Sequence, residues 1–108
     1  MKAYCRSKII INNLIIANTF KTRLVGLMGK NNLHDEGLLL INCKSIHCFF
    51  MKIVIDVLYL SDEMIVLDKE TIKPWNIGKI VKKAKHVMEL PEGAAKDINI
   101  GEIVEIVE

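Results

Sequence analysis

The chain is 108 residues long, 51% hydrophobic and formally +2 at pH 7, which suits one domain with one core and is too nearly neutral to argue for a nucleic-acid partner by charge alone. Its three cysteines lack any Cys-x-x-Cys spacing, so neither a disulfide framework nor a zinc knuckle is signalled and reduced thiols are expected. Asn12, Asn13 and Asn18 interrupt the first twenty residues, and Lys52 and Asp56 break the longest apolar run, so we expect no signal peptide and no membrane span, only a single soluble, cytoplasmic domain over 1–108.

The N-terminal stretch to Ile11 ends in β-branched residues, and Asn12-Asn13 before Leu14 offers turn chemistry, predicting two strands joined there. Thr19 can cap a helix over about 19–28, because Phe20, Leu24, Leu27 and Met28 recur at helical spacing and Gly29 can end it. Arg23 falls at the rim of that apolar stripe, where its guanidinium either snorkels to water or reaches a buried acid. Lys30 to Glu36 is loop-like, and Gly37 to Ile41 is a short, fully apolar strand.

Residues 43–60 hold the densest apolar run. In an extended chain His47, Phe49, Met51, Ile53, Ile55, Val57 and Tyr59 share one face, while Cys48, Phe50, Lys52, Val54, Asp56, Leu58 and Leu60 share the other. Apolar residues on both faces predict a strand inside the sheet system. Lys52 and Asp56 are about 14 Å apart along such a strand and cannot pair, so the Asp56 carboxylate must find its partner elsewhere, with Arg23 the natural candidate.

Ser61-Asp62-Glu63 turns the chain into Met64 to Ile72, making residues 54–72 an antiparallel hairpin that Pro74 terminates. Trp75 to Gly78 is a loop. From Lys83 to Leu90 the pattern alternates, with Ala84, His86, Met88 and Leu90 inward and Lys83, Lys85, Val87 and Glu89 outward, predicting a strand wet on one side. Proline near its start suits a short helical turn near 92–97, and Glu102 to Glu108 is a last strand. Many short antiparallel strands with one real helix predict a mainly β fold, a small antiparallel β-sandwich or partly open barrel. Charge is uneven: residues 1–30 carry six basic side chains and no acid, whereas 89–108 carry six acids and only Lys96.

The chain carries Ala17-x-Thr19-x-x-x-Arg23-x-x-Gly-Leu-Met28, Glu36-Gly-Leu-Leu-Leu40, Cys43-x-x-Ile-His47-x-Phe-Phe-Met51, Ile55-Asp56-Val57, Lys73-Pro74-Trp75, Glu89-Leu-Pro-x-Gly93 and Gly101-Glu102-x-Val104. Together these landmarks resemble a family catalogued as domain of unknown function 192, or uncharacterised protein family 0127. The resemblance implies a compact mainly β fold with one packed helix, but no established activity. Two positions depart from the family form: Val54 stands where proline is usual, and Cys48 where threonine is. Many members also carry an N-terminal export or lipid-attachment segment; none is legible here, in keeping with an internal location.

Cys43 and His47 are the residues best suited to chemistry, as a thiol–imidazole pair or thiol/metal ligands, although a buried structural thiol is the ordinary role. Three classes follow. The favoured one is a non-catalytic module that binds a small ligand or protein partner at a cleft lined by Arg23, His47, Asp56 and Trp75. The second is a thiol- or metal-dependent enzyme using Cys43, His47 and Asp56. The third is an accessory for assembly of a larger complex, envelope-related ones included. No cofactor is implied, nucleic acid is not the expected partner, and the oligomeric state is open.

Overall fold

The computed structural model describes residues 1–17, 35–43 and 53–108. Eight strands carry the fold: β1 Lys2–Cys5, β2 Lys8–Ile11, β3 Asn13–Ala17, β4 Glu36–Ile41, β5 Ile55–Leu60, β6 Val66–Ile72, β7 His86–Pro91 and β8 Val104–Val107. They form two open sheets, three-stranded β2-β1-β8 and five-stranded β3-β4-β7-β5-β6. The fold is therefore mainly β, as the pattern predicts. No α-helix occurs among the described residues, and the helix expected over 19–28 lies outside them.

Period-two alternation explains how one strand serves two cores. On β5, Leu58 and Leu60 point to a cluster with Leu39, Met88 and Leu90 of the large sheet and Ala3, Cys5, Ile11 and Val104 of the small one. This inner face is where the sheets meet. Ile55, Val57 and Tyr59 point to the outer face, clustered with Leu38, Leu40 and Val87. All six β5 residues are buried, so the two-faced reading of residues 55–60 is correct, and the hairpin expected over 54–72 is realised as β5 paired antiparallel with β6.

Four expectations are corrected. The first hairpin turns at Arg6-Ser7, where Cys5 pairs with Lys8 and both turn residues have positive φ, 51° and 64°, as a two-residue primed turn requires. Asn12 and Asn13 instead bind Asp35. The Asn12 and Asn13 backbone N–H groups donate to Asp35 Oδ1 (3.1 Å) and its carbonyl (3.2 Å), and the Asn12 amide donates to Oδ2. They mark the corner at which the chain changes sheets.

The sheet is not wholly antiparallel, since β3 and β4 pair in parallel. Nor is the strand at 83–90 wet on one side. β7 lies between β4 and β5, so Val87 and Glu89, the residues expected to face water, are buried on the outer face at 0% and 6% exposure. Finally, residues 92–97 are successive tight turns rather than a helix. Ala94, Lys96 and Ile98 N–H groups each donate to the carbonyl three residues back, and Gly93 at φ 91° breaks any helical run.

Candidate functional site

β6 and β7 both pair antiparallel with β5, so they run parallel to each other on its two sides. Such strands need a long crossover, which residues 73–85 supply. Pro74, Asn76, Gly78 and the β-branched Ile77, Ile80 and Val81 keep that crossover from coiling into a helix. It is an irregular strap instead.

Hydrogen bonds order the strap internally and fix it to the outer face. Asn76 N–H donates to the Lys73 carbonyl (3.2 Å), its side-chain amide to the Lys73 and Pro74 carbonyls, and Lys85 N–H to the Leu60 carbonyl (2.7 Å). At the centre the Lys79 N–H donates to Glu70 Oε2 at 2.8 Å, and the same oxygen accepts from the Tyr59 hydroxyl at 2.5 Å. The Lys79 ammonium pairs with Asp68 at 3.2 Å. Burial, reinforced by the bond to Glu70, pushes the Tyr59 phenol well above its ordinary value, so Tyr59 acts only as a neutral donor.

The strap thus has an inside and an outside. Ala84 and Val81 pack on the cluster around Tyr59, and Gly78 is buried. Trp75, Ile77 and Ile80 are exposed at 59%, 68% and 76%. Trp75 holds φ at 67°, an uncommon conformation for a bulky residue. Lys73, Lys79, Lys82, Lys83 and Lys85 are all exposed, and no acid occurs between Thr71 and Met88. Lys73, Lys82, Lys83 and Lys85 form no ion pair among the described residues.

Glu89 is the other unusual group. On the outer face it stands between Leu38 of β4 and Val57 of β5, with no hydrogen-bond partner among the described residues. Burial pushes its carboxyl up to about 7. Glu70 lies on the far side of Val57, about 10 Å away across two strand spacings.

The expected cleft is only partly visible. Arg23 and His47 lie outside the described residues. Asp56 projects from the inner face, where Oδ1 accepts from Thr71 Oγ1 (2.9 Å) and Oδ2 from the Gly93 and Ala95 N–H groups (3.0 Å each). These three donors already satisfy its carboxylate, and their effect is to hold the 92–97 turns against the sheet. Cys43 packs against the outer-face cluster, just past β4 and beside the β7 start, where its N–H donates to the Lys85 carbonyl. Cys43 and Asp56 therefore sit on opposite faces and opposite ends of the sheet, and cannot act on one atom.

Other candidates for chemistry are also engaged. Cys5 is buried, and burial together with the nearby Glu102 raises its thiol above the ordinary value, the wrong direction for a nucleophile. His86 Nδ1 accepts from the Asn42 N–H (3.2 Å). No group of three His, Cys, Asp or Glu among the described residues could hold a metal ion. A shallow groove of ≈ 580 Å³, lined by Met1, Asn13, Leu14, Ile15, Asp35 and Glu36, shares no residue with the expected cleft.

The sequence singles out Trp75 as a site candidate, whereas the exposure of Ile77, Ile80 and the strap lysines and the burial of Glu89 come from the structure. The acid-free interval from Thr71 to Met88 was the available signal for the strap. Nothing local distinguished Glu89, because it shares strand parity with Lys83 and Lys85.

A family model, DUF192, described as "Uncharacterized ACR", matches residues 6–106. The UPF0127 protein of Pyrococcus abyssi is 38% identical over 97 residues, covering 83% of this chain and 82% of the relative. That of Pyrococcus horikoshii is 38% identical over 88 residues, 77% and 76% of the two chains. A crystal structure of a protein of unknown function from Novosphingobium aromaticivorans is similar with a TM-score of 0.85 at 18% identity, covering 97% of this chain and 84% of that one. A second crystal structure, of a protein from Sinorhizobium meliloti described as a "putative transcription regulator", has a TM-score of 0.76 at 19% identity, with 85% and 79% covered. At such identities the structural likeness speaks for the fold alone. The match across residues 6–106, with relatives of 38% identity over most of both chains, means that this chain belongs to the uncharacterised DUF192/UPF0127 family.

Proposed function

We propose that the protein is a non-catalytic binding module whose recognition element is the strap over residues 73–85. The observation that carries this reading is the exposure of Trp75, Ile77 and Ile80 on a backbone ordered by the Asn76–Lys73 bond within it and held by hydrogen bonds to Glu70 and Leu60. Single exposed apolar residues are ordinary on protein surfaces, but three within six positions, framed by cations, suit a contact surface. A pre-ordered strap also loses little conformational entropy when it binds.

The expected cleft contributes Trp75 to this site, while Asp56 serves the fold. The thiol or metal enzyme is disfavoured by the separation of Cys43 from Asp56. Backbone amide and Trp75 indole NMR signals, followed during titration with an acidic apolar peptide, a short polyphosphate and a soluble short-chain phosphatidylserine, test the reading. Shifts should concentrate in residues 73–85 for at least one probe. Shifts confined to the groove at Met1, Asp35 and Glu36, or absent with all three probes, would refute it. The double variant I77S/I80S should melt within about 2 °C of the parent, because exposed substitutions change stability little.

A further inference from the structure

We infer that the occupant of the strap is an anionic phospholipid surface, on which this domain docks peripherally through Trp75, Ile77 and Ile80 with Lys73, Lys82, Lys83 and Lys85 around them. The inference rests on the strap being the recognition element and names what it recognises.

The chemistry of the exposed groups selects the partner. The acid-free run from Thr71 to Met88 calls for a negatively charged partner. Lys79 is already held by Asp68, whereas the other four ammonium groups form no ion pair among the described residues. Nucleic acid would meet those charges, but its bases are read by stacking on aromatic rings, and the strap offers one indole beside two aliphatic side chains. Isoleucine needs an apolar medium just beneath the anionic layer. A bilayer provides both at once: phosphates at the surface for lysine, and acyl chains a few ångströms below for isoleucine. The indole is suited to the boundary between them, being apolar in body with one N–H at its edge.

Another part of the molecule supplies the contrast. Ile100 and Ile103 are exposed at 62% and 56%, comparable to the strap residues, but lie among Asp97, Glu102 and Glu105. Glu102 there is paired with Arg6, and the region offers an anionic surface no run of cations like that of the strap. Among the described residues no helix is long and apolar enough to cross a membrane, so the contact proposed is superficial.

Trp75 is the only tryptophan in the chain, which makes the test direct. The full chain is mixed with vesicles of phosphatidylcholine alone or of phosphatidylcholine with phosphatidylserine, and read by co-sedimentation, tryptophan emission and acrylamide quenching. The anionic vesicles should pellet the protein, move Trp75 emission to shorter wavelength and shield it from quencher, with loss of binding at high salt. I77S/I80S, and separately K82E/K83E, should weaken partitioning about tenfold or more, whereas I100S should leave it unchanged. Equal binding to both vesicle types, an unmoved emission spectrum, or equal weakening by I100S would overturn the inference. Strap signals that respond to the acidic peptide or polyphosphate while anionic vesicles are ignored would overturn the lipid assignment and leave the binding module standing. Strap signals that respond to no probe would remove both.

Discussion

Glu89 offers the sharpest test of the fold. The residue is 6% exposed on the central strand, between Leu38 and Val57, and burial raises its carboxyl from the ordinary 4.5 to about 7. Between those values the folded chain binds a proton that the unfolded chain has released. The stability associated with the neutral acid is therefore complete below about pH 4.5 and is lost as pH rises through 7. The shift corresponds to about 3 kcal/mol, at 1.36 kcal/mol per unit. Glu89→Gln replaces the acid with a group that cannot ionise. Urea denaturation followed by far-ultraviolet circular dichroism at about pH 4 and pH 8 should show the parent losing about 3 kcal/mol more than the variant across that range. At the alkaline end the variant should gain on the parent. Parallel profiles for the two proteins would mean that the carboxylate is hydrated or paired, and would refute the burial argument.

Other substitutions probe the packing around it. Asp56→Ala leaves the Gly93 and Ala95 N–H groups without their acceptor and should cost about 2 to 4 kcal/mol, visible as a lowered urea midpoint. Asp56→Asn retains one carbonyl oxygen and should cost less; the reverse order would show that charge, not acceptor geometry, holds the 92–97 turns. Gly37→Ala places a methyl 3.1 Å from the Glu89 carbonyl oxygen and 3.2 and 3.3 Å from Leu90 and Ile11 side-chain carbons, so a loss of about 1 to 3 kcal/mol is expected in the same assay. Tyr59→Phe removes the hydroxyl that donates to Glu70 and should cost about 1 kcal/mol in thermal or urea melts. No change there would mean that the Lys79 N–H alone satisfies Glu70.

Peripheral docking by the strap would give a role to features that cost stability. Trp75 at φ 67° and the exposed Ile77 and Ile80 depart from local preference, and such departures gather at functional sites. Asp56 illustrates the opposite case. In sequence, a buried acid in the densest apolar run reads either as a structural partner of a buried cation or as a cleft residue; in the structure its carboxylate accepts from Thr71, Gly93 and Ala95 and so fastens a loop.

The residues by themselves determined the strand-rich class, the hairpin of β5 and β6, the two-faced burial of residues 55–60, and the end of β6 before Pro74. Each follows from side-chain alternation or backbone chemistry within a few neighbouring positions. Tertiary structure decided the rest. Arg6-Ser7 has poorer intrinsic turn chemistry than Asn12-Asn13, but Arg6 is tied to the Asp97 carbonyl and Glu102, contacts from the far end of the chain. Whether Val87 and Glu89 meet water depends on β7 lying between β4 and β5, and strand order leaves no trace in the alternation of a single strand. The strap took its inner and outer sides only once two parallel strands had to be joined across β5. Period-two patterns report which residues share a face; what covers that face is set by segments distant in sequence.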